Sequence, residues 1–183
     1  MRITLLNGNS DSRNMNFDGY LESLEEVLRT SGHEVVYYTL RDMDIRYCDG
    51  CLGCWLKTPG ECLKKDDMVW VRKSYVHSDL ALFASPLKMG FITSTLKKSM
   101  DKLIPLVLPY FEIVRGEFHH AARYDHYPLM GVILEEEKDT DPEDFEINKN
   151  IFSRNAINLH SRLALFEFTN TPVGVVGNAI NGL

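Results

Sequence analysis

The sequence lacks the features of several specialised classes of protein. No apolar run is long enough to cross a bilayer, so a membrane-spanning segment is not expected. Basic residues are outnumbered by acidic ones, 20 to 26, and the formal net charge of −6 makes nucleic acid and anionic membrane surfaces poor partners. The first residues are too briefly apolar for a signal peptide, which predicts a cytoplasmic protein whose thiols stay reduced.

The composition does provide enough apolar material for one core. Of 183 residues, 44% are hydrophobic and 25% are charged, which is close to an average globular protein. This length suits one domain with a sizeable core and is short for two. Because the sequence also has no internal repeat and no low-complexity linker, we predict a single domain over residues 1–183.

Short apolar runs alternate with segments of helical periodicity along the chain. The predicted strands are 2–7, 34–40, 79–85, 128–135 and 163–169, and the predicted helices begin near residues 17, 68, 93 and 145. This alternation is typical of right-handed βαβ units, which form a parallel sheet covered on both faces. It predicts an α/β, doubly wound fold with five parallel strands in the order 2-1-3-4-5. Two segments fall outside the pattern: a Cys-rich loop at 46–67 and a long connection at 105–127.

The loop after the first strand has the composition of an anion site. It runs from Gly8 to Asn16 as GNSDSRNMN and opens a helix, for which Asn16 or Asp18 is the predicted cap. Free N–H groups and the positive end of a helix attract an anion there, and Ser and Asn side chains add donors. The loop matches neither the three-glycine dinucleotide fingerprint nor the Gly-Lys-Ser/Thr phosphate loop. A bound monophosphate fits better, although an ordinary polar loop with a helix cap has the same composition.

The four cysteines are the most specific signal in the chain. Cys48, Cys51, Cys54 and Cys62 have the spacing C-x2-C-x2-C-x7-C, and no other cysteine occurs. Four thiolates this close together can hold a four-iron cluster, whereas structural zinc more often uses two separate C-x2-C pairs. A loop of reduced thiols without a metal, or thiols that pair only on oxidation, is the third interpretation. Trp55, directly after Cys54, is a candidate to shield a cluster or a flavin from water.

Three segments together resemble the NADPH-dependent FMN reductase family, near its iron–sulfur flavoprotein branch. They are NGNSDSRNMNF, YCDGCLGCWLKTPGECLKKDDM and SPLKMGFITSTLKKSMDK. The resemblance implies a flavodoxin-like fold, FMN bound at the strand ends, and hydride transfer from NADH or NADPH. It also implies a homodimer or homotetramer, and a small-molecule or protein electron acceptor that the sequence does not identify. In the iron–sulfur branch, a cysteine run like that of residues 48–62 holds a four-iron cluster.

The resemblance also implies which residues bind the cofactor. The residues expected to hold the FMN phosphate are Asn9, Ser10, Ser12, Asn14, Asn16 and Phe17. Those expected to line the isoalloxazine ring are Ser85, Pro86, Leu87, Lys88, Met89 and Gly90. No protein acid or base is predicted, because the hydride chemistry belongs to the cofactor.

Three positions depart from the family pattern. Asp11 stands where a base is usual, Phe17 where a hydroxyl is usual, and Lys88 where an aromatic residue packs against the flavin. The first two changes weaken anion binding, with Arg13 as a candidate to replace the lost charge. Lys88 removes a stacking surface but brings a cation near the pyrimidine edge of the ring. These departures favour an alternative function: a flavin-free, flavodoxin-like protein that uses its cysteines for redox sensing or interaction.

Three histidines, the long connection and Trp70 are not predicted to bind a metal or a cofactor. His119, His120 and His126, with Asp125 between them, are predicted to be solvated loop residues because their spacing matches no familiar metal site. The long connection that carries them is predicted to be a lid or a partner surface. Trp70 is predicted to lie in the core.

Overall fold

The computed structural model describes residues 1–183 and contains eight strands and six helices. The strands are β1 (Arg2–Asn7), β2 (Glu34–Thr39), β3 (Leu80–Lys88), β4 (Phe91–Ile92), β5 (Val107–Val114), β6 (Glu117–Ala122), β7 (Leu129–Glu135) and β8 (Leu163–Phe168). The helices are α1 (Met15–Thr30), α2 (Gly53–Leu56), α3 (Met68–Val76), α4 (Ser94–Asp101), α5 (Pro142–Asn158) and α6 (Val173–Asn181). No helix is both long and apolar enough to cross a membrane.

Five of the strands form one parallel sheet in the order β2-β1-β3-β7-β8. This confirms the predicted order 2-1-3-4-5 and the flavodoxin-like α/β fold. The central strands are buried on both faces, as their continuous apolar runs require: β3 is buried from Leu80 to Leu87. The two-residue strand β4 pairs antiparallel with the end of β3 and closes a tight turn there.

Helices cover both faces of the sheet. The core beneath α1 and α6 is built from side chains such as Phe17, Leu21 and Ile180. The core beneath α3, α4 and α5 is larger and includes Tyr75, Phe83 and Phe152. Because each face is covered, all the ligand-binding loops are restricted to the ends of the strands.

Polar side chains cap three of the six helices. The side chain of Asn14 accepts a hydrogen bond from the N–H of Phe17, so Asn14 caps α1 and the prediction of Asn16 or Asp18 was wrong. Thr93 caps α4 by accepting from the N–H of Leu96. Asp141 caps α5 in a capping box and is followed by Pro142.

The long connection, for which no secondary structure was predicted, contains two strands. Residues 107–122 form an antiparallel hairpin of β5 and β6, in which Ile113 lies opposite Phe118. Arg115 and Gly116 form its turn with positive φ angles of 55° and 83°, as type I′ hairpin turns require. The turn signal was overlooked because it lies among aromatic and charged residues that suggested a loop.

Candidate functional site

The loops after β1 and β3 are joined by main-chain contacts at the carboxyl edge of the sheet. The N–H of Gly8 donates to the carbonyl of Ala84 at 2.8 Å, and Thr93 Oγ1 donates to the carbonyl of Gly8 at 2.5 Å. A Cβ at residue 8 would lie 2.6 Å from the Cβ of Leu96, so only glycine permits this close approach. The first loop is therefore held against the start of α4.

Internal hydrogen bonds give the first loop its shape and leave a set of donors free. Asn9 N–H donates to Asn7 Oδ1 at 2.9 Å, and Asp11 N–H donates to Asn9 Oδ1 at 3.1 Å. The amides and hydroxyls of the exposed Ser10 and Ser12 donate to no protein atom. The first two amides of α1, those of Met15 and Asn16, are free as well, since the opening turn of a helix has no intrahelical acceptor for them, whereas the N–H of Phe17 donates to Asn14 Oδ1. The loop thus offers clustered donors at a helix N-terminus.

The charge of Asp11 in this loop is neutralised locally. Arg13 donates to both carboxylate oxygens of Asp11 at 2.9 Å. The side-chain hydrogen bond from Arg13 lowers the pKa of Asp11 to about 2. Because the two charges cancel, Arg13 offsets the acid and adds no net positive charge to the loop.

Asp18 and Arg41 form a second charged pair beside the first loop, and neither residue was among the predicted site residues. Asp18 accepts hydrogen bonds from Asn7 at 2.7 Å and Asn9 at 3.0 Å, and forms an ion pair with Arg41 at 3.0 Å. Burial tends to raise the pKa of Asp18, but these hydrogen bonds outweigh it and hold that pKa below its usual value. Arg41 lies just after β2, distant in sequence, and no local motif marks it.

The predicted ring-binding residues fall into a buried and an exposed group. Ser85, Pro86 and Leu87 are buried within β3, and Ser85 Oγ accepts from the N–H of Thr93 at 3.0 Å. The exposed group begins at Lys88, which ends the strand. The side chains of the buried group therefore pack inside the protein and support the carboxyl end of β3.

The exposed group forms the tip of the β3–β4 turn. Met89 is 98% exposed, and Met89 and Gly90 have positive φ angles of 54° and 74°. Lys88 forms an ion pair with Glu137 at 3.7 Å, and the N–H of Gly90 donates to the same carboxylate at 3.4 Å. Asn148 donates to the carbonyl of Gly90 at 2.9 Å, so α5 also holds the turn in place.

Two of the predicted phosphate-site residues are engaged within the protein. Phe17 is buried in the core, and only its N–H faces the loop, where it donates to Asn14 Oδ1. Asn14 Nδ2 in turn donates to Glu135 Oε2 at 2.5 Å, so a carboxylate from the end of β7 borders the loop. Asn16 is exposed at the first turn of α1. The free donors of residues 10, 12, 15 and 16 therefore lie at this edge, with the carboxylate of Glu135 beside them.

All four cysteines line one cavity of about 400 Å³ between the Cys-rich segment and the ends of α4 and α5. Cys54 is buried, Cys62 is half-buried, and Cys48 and Cys51 are exposed. Burial raises the pKa of the Cys54 thiol, and the neighbouring Cys62 raises it further. No group of three or more Cys, His, Asp or Glu side chains in the structure is arranged to hold a metal ion. The donor set nevertheless fits an iron–sulfur cluster, since four soft thiols border one space.

The cysteine cavity and the carboxyl edge of the sheet lie at opposite ends of the same helix. The cavity wall includes Met100 to Ile104 at the end of α4, whereas Thr93 at the start of α4 contacts the loops of the carboxyl edge. Eight residues of helix separate them, which is about 12 Å. Trp55 also lines the cavity and donates from Nε1 to the carbonyl of Val107 at 2.8 Å.

The histidines do not behave as a set of solvated loop residues. His119 is buried, and the ring of His120 lies 4.9 Å from that of Trp55, whereas His126 is exposed. The prediction was therefore wrong for His119, which the hairpin carries into the protein. The separate prediction that Trp70 lies in the core was also wrong, because Trp70, on α3, is 57% exposed.

Curated relatives of the chain are iron–sulfur flavoproteins. One from Archaeoglobus fulgidus is 32% identical over 102 residues, which cover 56% of this chain and 48% of that protein. Another, from Methanocaldococcus jannaschii, is 30% identical over 89 residues, or 49% of this chain and 44% of that protein. The chain thus spans about half the length of the relatives that it matches.

Solved structures share the fold at low sequence identity. An NAD(P)H:quinone oxidoreductase from Methanothermobacter marburgensis superposes with a TM-score of 0.69 at 15% identity, covering 100% of this chain and 94% of that one. An azoreductase from Bacillus anthracis also gives 0.69, at 11% identity and with complete coverage of both chains. The family model described as NADPH-dependent FMN reductase matches residues 1–119, which include the loops after β1 and β3 and all four cysteines. The chain therefore belongs to the NADPH-dependent FMN reductase family.

Proposed function

We propose that the protein is an FMN-dependent NAD(P)H oxidoreductase that passes electrons to an acceptor by way of a four-iron cluster. The observation that carries this proposal is the set of free donors in the first loop, held against β3 by the hydrogen bonds of Gly8 and Thr93. Such a set at the switch point of a doubly wound sheet is where this fold class binds ligands.

In this proposal the first loop holds the phosphate group. The amides and hydroxyls of Ser10 and Ser12, with Asn16 and the first amides of α1, donate to it. The N-terminal end of a 16-residue helix adds a favourable dipole. Asn9 and Asn14 hold the loop in shape, and the pairing of Asp11 with Arg13 prevents the carboxylate from repelling the phosphate.

The β3–β4 turn is proposed to border the isoalloxazine ring. Met89 and the main chain of Gly90 supply its surface, while Lys88 brings a cation to the edge. Because Lys88 is only weakly paired with Glu137, its ammonium group is available to stabilise negative charge. The chemistry supplied by bound FMN is acceptance of a hydride from the nicotinamide and release of electrons one or two at a time.

The cysteine cavity is proposed as the electron exit. Cys48, Cys51, Cys54 and Cys62 would ligate the cluster, and Trp55 would shield one side of it. The names of the curated relatives support this assignment, as does the shared cavity. The separation of about 12 Å along α4 keeps the two redox sites distinct.

The partners proposed are a nicotinamide nucleotide, an electron acceptor and a second copy of the chain. The hairpin of β5 and β6 exposes Tyr110, Phe111, Ile113 and Phe118, each at least 66% accessible. Of these, Ile113 and Phe118 lie side by side across the hairpin, and exposed apolar side chains that lie together mark interaction surfaces in soluble proteins. We propose that this face forms a homodimer.

The decisive experiment is purification without oxygen, followed by a visible spectrum and assays of released flavin, iron and sulfide. We expect a flavin band over broad iron–sulfur absorption, and loss of the flavin band when NADH or NADPH is added. Flavin without iron would remove the cluster from the proposal and leave the reductase. A colourless protein that also fails to bind added FMN would contradict the proposal as a whole.

A flavin-free redox sensor is the second candidate function. The contact of Glu135 with Asn14 favours it, because a carboxylate at a phosphate loop opposes anion binding. A titration of the metal-free protein with FMN separates the two candidates. Submicromolar affinity supports the reductase, whereas no binding together with reversible oxidation of the cysteines supports the sensor.

A further inference from the structure

Behind the cysteine cavity lies an arginine that is buried without a carboxylate partner. Arg72, on α3, is only 7% exposed. Its Nη1 donates to the main-chain carbonyl of Lys102 at 3.3 Å. No carboxylate oxygen lies within 4.0 Å of its guanidinium group. Since a buried charge is stable only when it is compensated, this cation is expected to face an anion.

Asp66, the buried carboxylate of this region, is already paired with another cation. Asp66 forms an ion pair with Lys102, and both side chains are almost fully buried. Asp66 also accepts hydrogen bonds from the main-chain amides of Arg46 and Met68. The buried group therefore contains two cations and one carboxylate, which leaves one positive charge uncompensated.

The other acidic groups near Arg72 are Glu61, which is 67% exposed and paired with Lys65, and the cysteines Cys62 and Cys54. Lys102, to whose carbonyl Arg72 donates, lines the cavity together with Cys54 and Cys62. Burial lowers the pKa of Arg72, and the charges of Cys62, Asp66 and Cys54 oppose that effect, with Cys62 the largest among them. Four cysteinate ligands give an iron–sulfur cluster a negative overall charge, and this charge would compensate the buried positive charge of Arg72.

We propose that Arg72 is the fixed counter-charge of the tetracysteine site and raises the reduction potential of the cluster bound there. The proposal rests on the proposed function, because it requires the cluster. Each electron added to the cluster increases its negative charge, so a buried cation stabilises the reduced form more than the oxidised form. Exposed cations of the same segment have a much weaker effect because water screens them.

A redox titration of the reconstituted full-length protein tests this role. The cluster is assembled from ferrous iron and sulfide without oxygen, and its reduced form is measured by electron paramagnetic resonance at a series of potentials. The variants are Arg72→Gln, which removes the charge but can still donate to the carbonyl of Lys102, and Arg72→Lys, which keeps the charge. Lys65→Met is the matched control, since Lys65 is 82% exposed and paired with Glu61.

We expect Arg72→Gln to shift the one-electron reduction equilibrium at least tenfold towards the oxidised form, which corresponds to about 59 mV lower potential. Arg72→Lys should retain most of the wild-type potential, and Lys65→Met should differ from wild type by less than threefold in the same equilibrium. If Arg72→Gln does not fold, Arg72→Met, which fills a similar apolar volume, replaces it with the same expected shift.

The possible results distinguish a failure of the role of Arg72 from a failure of the proposed function. A cluster that assembles in every variant with an unchanged potential overturns the role of Arg72 and leaves the proposed function intact. A wild-type protein that takes up no iron and sulfide overturns the cluster assignment, and this inference with it. A potential that falls equally in Arg72→Gln and Arg72→Lys would show that packing, not charge, is responsible, which also overturns the inference.

Discussion

Gly8 shows how a single residue determines the position of the first loop. A Cβ at this position would lie 2.6 Å from the Cβ of Leu96 and 2.9 Å from the carbonyl oxygen of Ala84. Neither neighbour is the flexible end of a side chain, so the loop would have to move away from α4. We expect Gly8→Ala to lower the free energy of unfolding by about 1–3 kcal/mol, as overpacking does, and to weaken FMN binding.

Urea unfolding and an FMN titration measure both effects of Gly8→Ala. Gly19→Ala is the control, because Gly19 lies within α1 with nothing within 4 Å of the added methyl group. That substitution should raise the free energy of unfolding by about 0.5–1 kcal/mol through helix propensity. If Gly8→Ala has the same free energy of unfolding as the wild type, the position of the first loop does not depend on its close contact with α4.

The ion pair of Asp18 and Arg41 makes the first loop sensitive to acid. Replacing Arg41 with Met leaves the partly buried Asp18 carboxylate without its cation, which should cost about 1–3 kcal/mol at neutral pH. The pKa of folded Asp18 lies below its usual value, so the stabilisation is fully present above about pH 5 and is lost as pH falls through the folded pKa. The stability difference between wild type and Arg41→Met should therefore shrink in acid.

Unfolding curves at several pH values between neutral and strongly acidic check this dependence. Arg13→Met is the control, because the Arg13 side chain is 90% exposed and its pair with Asp11 is screened by water. We expect a clearly smaller loss of stability in that variant than in Arg41→Met. A difference for Arg41→Met that stays constant as the pH falls would contradict the assigned role of the pair.

At the scale of elements, Trp55 and Asp66 attach the Cys-rich segment to the rest of the protein. Trp55, in the four-residue helix α2, donates to the carbonyl of Val107 at the start of β5, and Asp66 forms a buried ion pair with Lys102 after α4. The hydrogen bond of Trp55 links the part of the segment that carries the cysteines to the hairpin. Loss of this anchor should loosen the segment without disturbing the sheet.

Trp55→Phe tests this attachment. The variant keeps an aromatic ring but loses the hydrogen bond, so we expect the free energy of unfolding to fall by about 0.5–1.5 kcal/mol. Hydrogen exchange should increase in residues 46–67 more than in the strands. Trp70→Phe is the matched control, since Trp70 is 57% exposed. Equal exchange in the two variants would show that Trp55 does not anchor the segment.

Considered as a whole molecule, the chain carries an apolar surface on the β5–β6 hairpin that its own core does not cover. Ile113 and Phe118 lie opposite each other across the hairpin and are 70% and 76% exposed. We expect Ile113→Asp to weaken self-association at least tenfold, because dimerisation would bury the new charge. Sedimentation over a range of protein concentrations measures the dissociation constant.

Val175→Asp is the control for the dimer prediction. Val175 is 56% exposed on α6, which covers the opposite face of the sheet. Its substitution should leave self-association unchanged while introducing the same charge. A wild-type protein that is monomeric at all concentrations, or one in which both variants dissociate alike, would contradict the assignment of the hairpin as the interface.

The sequence by itself determined the fold class, the strand order and the position of the polar loops at the carboxyl edge of the sheet. These follow from local patterns: buried parallel strands are continuous apolar runs, and polar loops follow them at the carboxyl ends. The family and the cysteine spacing were visible for the same reason, since each lies within a short stretch of chain. Helix starts were predicted to within a few residues, and the error at α1 arose because Asn14, Asn16 and Asp18 are all suitable caps.

Only the tertiary structure decided which distant residues surround each site. Arg41 reaches the first loop from the end of β2, and Arg72 reaches the wall of the cysteine cavity from α3. The tertiary structure also showed that the cysteine cavity and the loops of the carboxyl edge lie at opposite ends of α4, and that residues 107–122 form a hairpin. The physical reason is that hydrophobic periodicity specifies which face of an element is buried, whereas the partner that it meets there depends on how the whole sheet is wound and covered.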